Sequence, residues 1–242
     1  MRRRTTTPGR LRAPQDAEPR GINTYNESRL HEALKERFRG EDGATEVSLE
    51  GVVCDVVWAD GTVVEIQTRG LGRLRAKLAR LLATRPVRIV FPVARCKILE
   101  TRTRSGRLKS RRRSPKHDTV YAVFGELTGL WPLLGHPGLT VEVVHADVLE
   151  TRVADGTGSW RRRGVRIADR DLVAVHGTEA FCGFAAWAGL VPAELPEEFT
   201  VKELAAAGAG PHAGKMAWTL RHAGVLALCG KRGNALVYRR VG

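Results

Sequence analysis

The first hydrophobic pattern along the chain is a helical stripe. Leu30, Leu34 and Phe38 recur every four residues between 26 and 38, and a glycine follows, which predicts one amphipathic helix. Glu27 lies on the same stripe rather than on the polar face. A carboxylate at the end of an apolar stripe requires a partner, which is a metal, another cation or the start of the helix itself.

The next pattern is a block of short runs with β-branched residues, which predicts strands. Three strand-like runs cover residues 45–49, 51–59 and 62–69, and the last two are rich in valine. Asp60-Gly61 between the last two runs predicts a hairpin. Strict alternation places Asp55 of the second strand and Glu65 of the third on one face of this hairpin. Two carboxylates on an otherwise apolar face repel each other, so this arrangement requires a cation.

The helical period then returns at 71–82, and an apolar strand follows at 87–93. Leu74, Leu78 and Leu81 mark the buried side of this second helix. Lys77 lies at the margin of that side, so it either reaches inward or remains an exposed lysine with a buried stem. The order helix, three strands, helix, strand allows the last strand to pair in parallel with an inner strand. This order predicts the α/β class, with a mixed β-sheet flanked by helices.

The second half of the chain shows weaker periodicity. The run 101–117 holds eight Lys or Arg and no acid, and its glycine, serines and proline predict a loop. Thr200 and Glu203 form a capping-box signature. The further predicted elements are a short helix after Asp118, strands at 139–153 and 160–167, helices at 179–190, 201–207 and 213–222, and strands at 225–228 and 236–239.

Composition and charge narrow the class of protein. A chain of 242 residues with 43% hydrophobic and 27% charged residues forms one or two domains with a real core, which excludes disordered, collagen-like and disulfide-scaffold proteins. Forty Lys or Arg against 26 Asp or Glu leave a net charge of +14. Residues 22–94 carry 11 basic and 10 acidic residues, whereas 95–175 carry 16 and 9. A polyanion partner, above all nucleic acid, is therefore expected for the flanks of a nearly neutral region.

Cysteine spacing and hydropathy indicate the cellular compartment in which the protein is expected. Cys54, Cys96, Cys182 and Cys229 lie too far apart for a zinc knuckle and are too few for a secreted disulfide scaffold. No apolar signal segment follows the first arginines, and no run of about 18 apolar residues occurs. The sequence thus predicts a cytoplasmic protein with reduced thiols and no membrane partner.

The element order, with Asp55 on the second strand and Glu65-Ile66-Gln67 on the third, resembles the PD-(D/E)XK nuclease core of restriction endonucleases and archaeal Holliday junction resolvases. The resemblance covers residues 22–94. It implies a Mg²⁺ site, with Mn²⁺ as the alternative ion, held by Glu27, Asp55, Glu65 and the carbonyl of Ile66.

The departure from this family is at its usual lysine, where Gln67 stands. An amide orients water but supplies no positive charge. Some members of the family move the lysine to the next helix, where Lys77 lies. The resemblance therefore implies that Gln67 and Lys77 handle the attacking water.

The C-terminal pattern of helix, turn, helix and a hairpin with a basic tip resembles a winged helix-turn-helix. The expected organisation is a disordered basic segment at 1–21, the nuclease-like core at 22–94, a basic β-rich extension at 95–175 and the winged helix at 176–242. The candidate DNA contacts are Arg107, Lys109, Arg111, Arg112, Arg113, Lys116, Arg161, Arg162, Arg163, Lys215, Arg221, Lys231, Arg232 and Asn234.

These observations lead to an expected function and two alternatives. The expected function is Mg²⁺-dependent endonucleolytic cleavage of double-stranded or branched DNA, in repair, recombination or defence. The first alternative is a noncatalytic DNA-binding or regulatory protein built on an inactive core, and the second is RNA or ribonucleoprotein binding. A homodimer is left open.

Overall fold

A computed structural model describes residues 28–241 of the chain. Its helices are α1 (Arg29–Arg39), α2 (Arg75–Leu81), α3 (Phe124–Leu127), α4 (Gly183–Ala188), α5 (Val201–Leu204) and α6 (Ala213–His222). Its strands are β1 (Ala44–Leu49), β2 (Val52–Val57), β3 (Val63–Ile66), β4 (Val87–Thr103), β5 (Leu108–Arg113), β6 (Leu139–Ala154), β7 (Val165–Cys182), β8 (Glu198–Thr200), β9 (Leu226–Arg232) and β10 (Ala235–Arg240). The predicted segment 1–21 and Glu27 lie outside the described residues.

The predicted first helix and hairpin are confirmed. Ser28 caps α1, because its side chain accepts the N–H of His31. Between β2 and β3, the Asp60 carboxylate accepts the N–H of Thr62 at 2.8 Å, and Gly61 takes a φ of 84°. Positive φ at this turn position is the reason that glycine stands there.

The large sheet has seven strands in the order β1-β2-β3-β4-β6-β7, with β5 paired to the distal part of β4. β3 pairs in parallel with β4, as expected when helix α2 connects them, and β4 pairs in parallel with β6. The other neighbouring pairs are antiparallel. The prediction of an α/β fold with a mixed sheet flanked by helices is confirmed at this level.

Helices cover both faces of the sheet. Leu30 and Leu34 of α1 pack on the face that includes Val64 and Val90. α2 packs on the opposite face, which carries the alternate residues of the same strands. This sandwich buries the central strands and places their ends at its edges.

The predicted loop at 101–117 is wrong. β4 continues to Thr103, and β5 returns beside it as an antiparallel hairpin. Every residue of β5 is exposed. The backbone is thus satisfied by strand pairing while the arginine side chains remain in water, and no apolar alternation reveals such a strand in the sequence.

Two further predicted elements begin too early in the sequence. The expected strand at 160–167 begins only at Val165, because Trp160–Arg162 form a short 3₁₀ turn. The expected helix at 179–190 begins only at Gly183, because β7 runs through Cys182. β4 and β7 therefore cross the boundaries expected at 94/95 and 175/176, so that the predicted units share one sheet.

The distal parts of the two long hairpins form an extension of this sheet. Residues 98–113 of β4–β5 and 149–171 of β6–β7 contribute to neither hydrophobic core cluster, and we call them the β-arm. Because β4 pairs with β6 from Val87 to Thr103, the two hairpin tips lie side by side. Register shifts at the base of the arm, near Arg95, indicate bulges, which bend strands.

The C-terminal elements pack into the main core. Met216 and Leu220 of α6 belong to the same buried cluster as Phe124 and Trp187, whose rings meet edge to face at 6.0 Å. β8, β10 and β9 form a separate three-stranded sheet. Among the described helices, none is long and apolar enough to cross a membrane.

Candidate functional site

The candidate site lies where β2 and β3 separate. The two strands pair at Val56–Val64 and Val57–Val63. Beyond these pairs the N–H of Ile66 donates to Asp55 Oδ2 at 2.8 Å. A side-chain carboxylate therefore occupies the place that the neighbouring strand's carbonyl would take in a continued ladder. In the sequence, this site is marked by Asp55 within a Val-rich strand and by Glu65 on the next strand.

Helix α1 supplies a partner to Asp55. His31 Nε2 lies 3.4 Å from Asp55 Oδ2, and the two side chains are only 13% and 16% exposed. Burial alone would raise the pKa of Asp55, but hydrogen bonds from His31 and from the Ile66 N–H outweigh it and lower the pKa. Asp55 is therefore held as a carboxylate.

Glu65 is the more deeply buried of the two acids, at 3% exposure. Its Oε2 accepts a hydrogen bond from Lys77 Nζ at 2.5 Å, and the same ammonium donates to the Val53 carbonyl at 2.5 Å. Burial and the nearby charge of Asp55 raise the pKa of Glu65 to about 7, against the opposing effect of Lys77. Within the described residues, Glu65 Oε1 has no hydrogen-bond partner.

The prediction that Asp55 and Glu65 share one face of the hairpin is wrong, because the two carboxylates turn to different helices. Asp55 contacts α1 and Glu65 contacts α2, and these helices cover opposite faces of the sheet. Their charges nevertheless interact, since Asp55 contributes to the raised pKa of Glu65. The arrangement is an acidic pair at a strand gap with one basic side chain on each side.

Of the other residues expected at this site, Lys77 reaches inward and Gln67 does not bond to either acid. The Gln67 side-chain amide donates to the carbonyl of Arg69, its own near neighbour. A strand residue directs its N–H and C=O to the same side, so the carbonyl of Ile66 faces the gap that its N–H faces. Among residues 28–241, Lys77 is the side chain that brings an amine to the acidic pair.

Sequence reasoning missed His31. The sequence offers one indication of this residue: His31 comes four positions after Glu27 and directly after the buried Leu30, at the edge of the apolar stripe. A polar residue there faces the sheet rather than the solvent.

The oxygen donors suit a small divalent cation. Mg²⁺ usually binds through one or two protein carboxylates, with waters and phosphate oxygens completing its shell. Asp55, Glu65 and the Ile66 carbonyl provide such donors, and Glu65 Oε1 is a buried acceptor without a donor. Residues 28–241 contain no group of three His, Cys, Asp or Glu side chains that could hold a metal. The third expected acid, Glu27, precedes that range.

A cleft of about 350 Å³ opens beyond the carboxyl end of β3, beside residues 91–94 in the first half of β4. We call it the cationic cleft, because its lining contains four Lys or Arg against two acids, Asp118 and Glu126. Arg69, Lys97, Arg170 and Lys215 contribute to its lining, and Arg69 follows Glu65 by four residues. Lys215 Nζ also donates to the Gly125 carbonyl at 2.9 Å. In open α/β sheets the carboxyl ends of strands are the usual place for ligands, and this charge suits phosphate.

The expected DNA contacts of the middle region lie on the β-arm or at its base rather than at the acidic pair. Arg107, Lys109, Arg111, Arg112, Arg113, Lys116, Arg161, Arg162 and Arg163 are all exposed. Arg111 approaches Glu100 at 3.6 Å, and Arg113 Nε donates to Cys96 Sγ at 3.0 Å. Thr103, at the tip, follows Ile89 by 14 residues, and Ile89 is the partner of Glu65. At about 3.3 Å per residue, the tip lies about 45 Å along the strand from the acidic pair.

Of the expected DNA contacts in the C-terminal unit, some are exposed side chains and others already contact the protein. Arg221, Lys231 and Asn234 are exposed. Arg232 instead pairs with Glu203 at 3.0 Å, the same Glu that completes the capping box with Thr200. Lys215 lines the cleft, as described above.

Comparison with known proteins places the chain in a family. Residues 28–182 match the model described as Domain of unknown function (DUF8091). The chain belongs to this family. The matched range of DUF8091 contains the acidic pair, Lys77 and the whole β-arm, whereas α5, α6 and the small sheet follow it.

An uncharacterized protein of Treponema pallidum (strain Nichols) is 37% identical over 219 residues, which cover 90% of this chain and 87% of the relative. No solved structure matches the chain.

Proposed function

We propose that the protein is a Mg²⁺-dependent DNA endonuclease whose active site is the gap between β2 and β3. The observation that supports this function is the buried Glu65–Lys77 pair beside Asp55. Burying two interacting carboxylates and an ammonium costs stability, and clusters with perturbed pKa values concentrate at functional sites.

In the proposed site, Asp55, Glu65 and the Ile66 carbonyl hold the ion. Mg²⁺ held there would act as a Lewis acid, which would lower the pKa of a coordinated water and offset charge on the phosphate. The usual lysine of the PD-(D/E)XK nucleases orients the attacking water with a positive charge, which the Gln67 amide lacks. Lys77, whose ammonium lies beside Glu65, would take this role.

The cationic cleft suggests how the substrate lies. Arg69 follows Glu65 by four residues in the sequence and lines the cleft together with Lys97 and Lys215. Phosphate contacts of this kind fix the position of a nucleic acid without reading its sequence. The substrate backbone would therefore pass from the acidic pair into the cleft.

A second candidate function is noncatalytic DNA binding on the same fold. Two observations favour it: each carboxylate already has a basic partner, and the described residues lack a three-ligand group. Under this candidate the acidic pair and its bases are a structural network. Both candidates require nucleic-acid binding, so binding alone does not choose between them.

The deciding experiment measures nicking of supercoiled plasmid and of a branched DNA junction by the full chain, with Mg²⁺, Mn²⁺ or EDTA. We expect cleavage with the metal ions and none with EDTA. Asp55→Asn and Glu65→Gln should each reduce the rate by about 100-fold or more, since a metal ligand is lost. Glu36→Gln removes an exposed carboxylate of α1 that pairs with Arg39, and it should cleave like the natural protein.

Cleavage that persists unchanged in both site variants would contradict the proposal. Binding without cleavage under all three metal conditions would establish the noncatalytic candidate. Stronger competition by structured RNA than by duplex DNA of equal length would move the proposed substrate to RNA.

A further inference from the structure

We infer that the tip of the β-arm is a second nucleic-acid contact, which stacks Trp160 on an unpaired base while the surrounding arginines bind the backbone. The inference rests on the nucleic-acid partner of the proposed function and goes beyond it in naming the substrate class: nucleic acid with a single-stranded segment.

The first observation is the display of Trp160 on a structured turn. Its side chain is 83% exposed, the highest value among the exposed large hydrophobic residues described. The turn is closed by hydrogen bonds from Gly158 N to the Gly164 carbonyl at 2.9 Å and from Arg163 N to the Trp160 carbonyl at 2.9 Å. The fold thus holds a large aromatic ring in water instead of folding it onto the sheet.

Glycines and a capped start fix this turn. A Cβ on Gly158 would lie 2.1 Å from the backbone of Val165, so no other residue fits there without a shift. Asp155 accepts the N–H of Thr157 at 3.1 Å and pairs with Arg166 at 2.6 Å. A ring presented by a rigid turn loses little conformational freedom when a ligand binds.

The second observation is an excess of cations on the β-arm. The arm contains 13 Lys or Arg and 5 Asp or Glu. All five acids already have arginine partners: Glu100, Glu150, Asp155, Asp169 and Asp171. The cations of the arm that have no carboxylate at ion-pair distance in the described residues are Arg104, Arg107, Lys109, Arg112, Arg113, Arg161, Arg162 and Arg163, all exposed.

These two observations together indicate nucleic acid. The Arg161 guanidinium lies 5.6 Å from the Trp160 ring centroid, so a cation–π contact covers one face of the indole ring. Proteins that bind single strands combine a positive track for phosphates with aromatic rings on which bases stack. A base in an intact duplex is already stacked, so the ring selects unpaired bases.

A membrane surface is the other polyanion that an arginine-rich tip with a tryptophan could meet. The β-arm favours nucleic acid because its unpaired cations follow β5 as well as the tip, which suits an extended backbone. Apart from Trp160, the arm has one exposed large hydrophobic residue, Leu108, which is little apolar area for insertion into a bilayer.

The test measures affinity by fluorescence anisotropy in EDTA, so that its outcome does not depend on cleavage. The probes are labelled 30-nucleotide oligothymidylate, a 30-residue abasic strand with the same phosphates, and a blunt 30-base-pair duplex. Co-sedimentation with phosphatidylserine vesicles measures binding to a membrane surface. Trp160→Ala should weaken binding to oligothymidylate about tenfold or more, in line with the loss of one stacked base. Trp160→Phe should bind within about threefold of the natural protein, because an aromatic ring remains.

Two controls separate stacking from charge. Binding of the abasic strand should be equal for Trp160→Ala and the natural protein, since it offers no base. Trp218→Ala removes an exposed tryptophan on α6, outside the arm, and should change no affinity by more than about twofold.

The inference is overturned if Trp160→Ala leaves the oligothymidylate affinity unchanged, if it weakens the abasic strand equally, or if it acts only on binding to phosphatidylserine vesicles. Loss of oligothymidylate binding in a protein that cleaves nothing would support the inference while the proposed nuclease fails.

Discussion

Glu65 is a buried carboxyl group with hydrogen bonds to only one of its two oxygens. Lys77 bonds to Oε2, and Oε1 has no partner in the described part of the chain. A fold selected only for stability would fill this position with an apolar residue, since buried ion pairs are often neutral or unfavourable relative to apolar packing. This unfavourable burial is the reason that we propose a functional role for Glu65.

This burial predicts an unusual dependence of stability on pH. The folded pKa of Glu65, about 7, lies above its ordinary value of 4.5, so the folded state holds this proton more tightly than the unfolded state. Between these values, the free energy of unfolding decreases as pH rises. Glu65→Gln lacks this titration, so its stability relative to the natural protein should increase by about 3 kcal/mol between pH 4.5 and pH 8.

Urea unfolding in EDTA at four pH values across this range measures the effect. Asp55→Asn provides the opposite case, because the folded pKa of Asp55 is lowered and its carboxylate stabilises the fold at neutral pH. That variant should lose stability relative to the natural protein at pH 7 and recover part of the difference in acid. A constant difference between Glu65→Gln and the natural protein at all pH values would contradict the prediction.

At this scale the sequence is a good guide to the acids and a poorer guide to their partners. The hairpin pattern brings Asp55 and Glu65 onto neighbouring strands, but alternation places them on one face, whereas they turn to helices on opposite faces of the sheet. The contact of Lys77 depends on how far α2 lies from the sheet, and that of His31 on the packing of α1, both of which are set by tertiary structure. Gln67 stands in the motif but bonds to Arg69, because β3 ends at Ile66 and the chain turns.

At the scale of elements, the β-arm is the feature that the sequence conceals. Its strands carry arginine where strand patterns require alternating apolar residues, so the segment resembles a loop in composition. Pairing along β4, β5, β6 and β7 supplies its backbone hydrogen bonds, and Arg–carboxylate pairs across Glu100 and Glu150 replace part of the missing core. Period-based reasoning detects strands through burial, and most of this arm is not buried.

The division of the arm's arginines into paired and unpaired sets predicts different salt dependences. Arg112→Gln with Arg162→Gln removes two unpaired cations, whereas Arg152→Gln with Arg166→Gln removes the same charge from ion pairs with Glu150 and Asp155. If the unpaired set contacts phosphates, the negative slope of log K against log salt on duplex DNA should become shallower by about 2 in the first variant. The second should leave the slope within about 0.5 of the natural value, because those cations release few counterions on binding.

The measurement is a titration with one duplex at several salt concentrations in EDTA, with circular dichroism to show that both variants keep their strands. Equal reductions of the slope in the two variants would mean that net charge, rather than the unpaired set, determines binding.

At the scale of the whole molecule, the buried core crosses the boundary of the family match. The family model ends at residue 182, but the main cluster continues through Trp187, Leu204, Met216 and Leu220. The Treponema relative aligns over 219 residues, more than the family model matches, so the shared sequence extends beyond that range. Weak turn and capping signals predict the C-terminal helices, but they contain no information on the surface against which these helices pack.

A continuous core predicts that residues 28–241 unfold as one unit and not as a nuclease-like core plus a detachable C-terminal module. Met216 of α6 is fully buried, so Met216→Ala leaves a cavity that should cost about 2–4 kcal/mol. Tryptophan fluorescence, which senses Trp58 beside α1 as well as Trp187, and far-ultraviolet circular dichroism should report one coincident urea transition, shifted to lower urea in the variant with an unchanged slope. Leu228→Ala, at an exposed position of β9, serves as the matched control and should shift the midpoint little. Two separate transitions, of which only one responds to Met216→Ala, would show that the C-terminal elements form an independent domain despite their shared buried cluster.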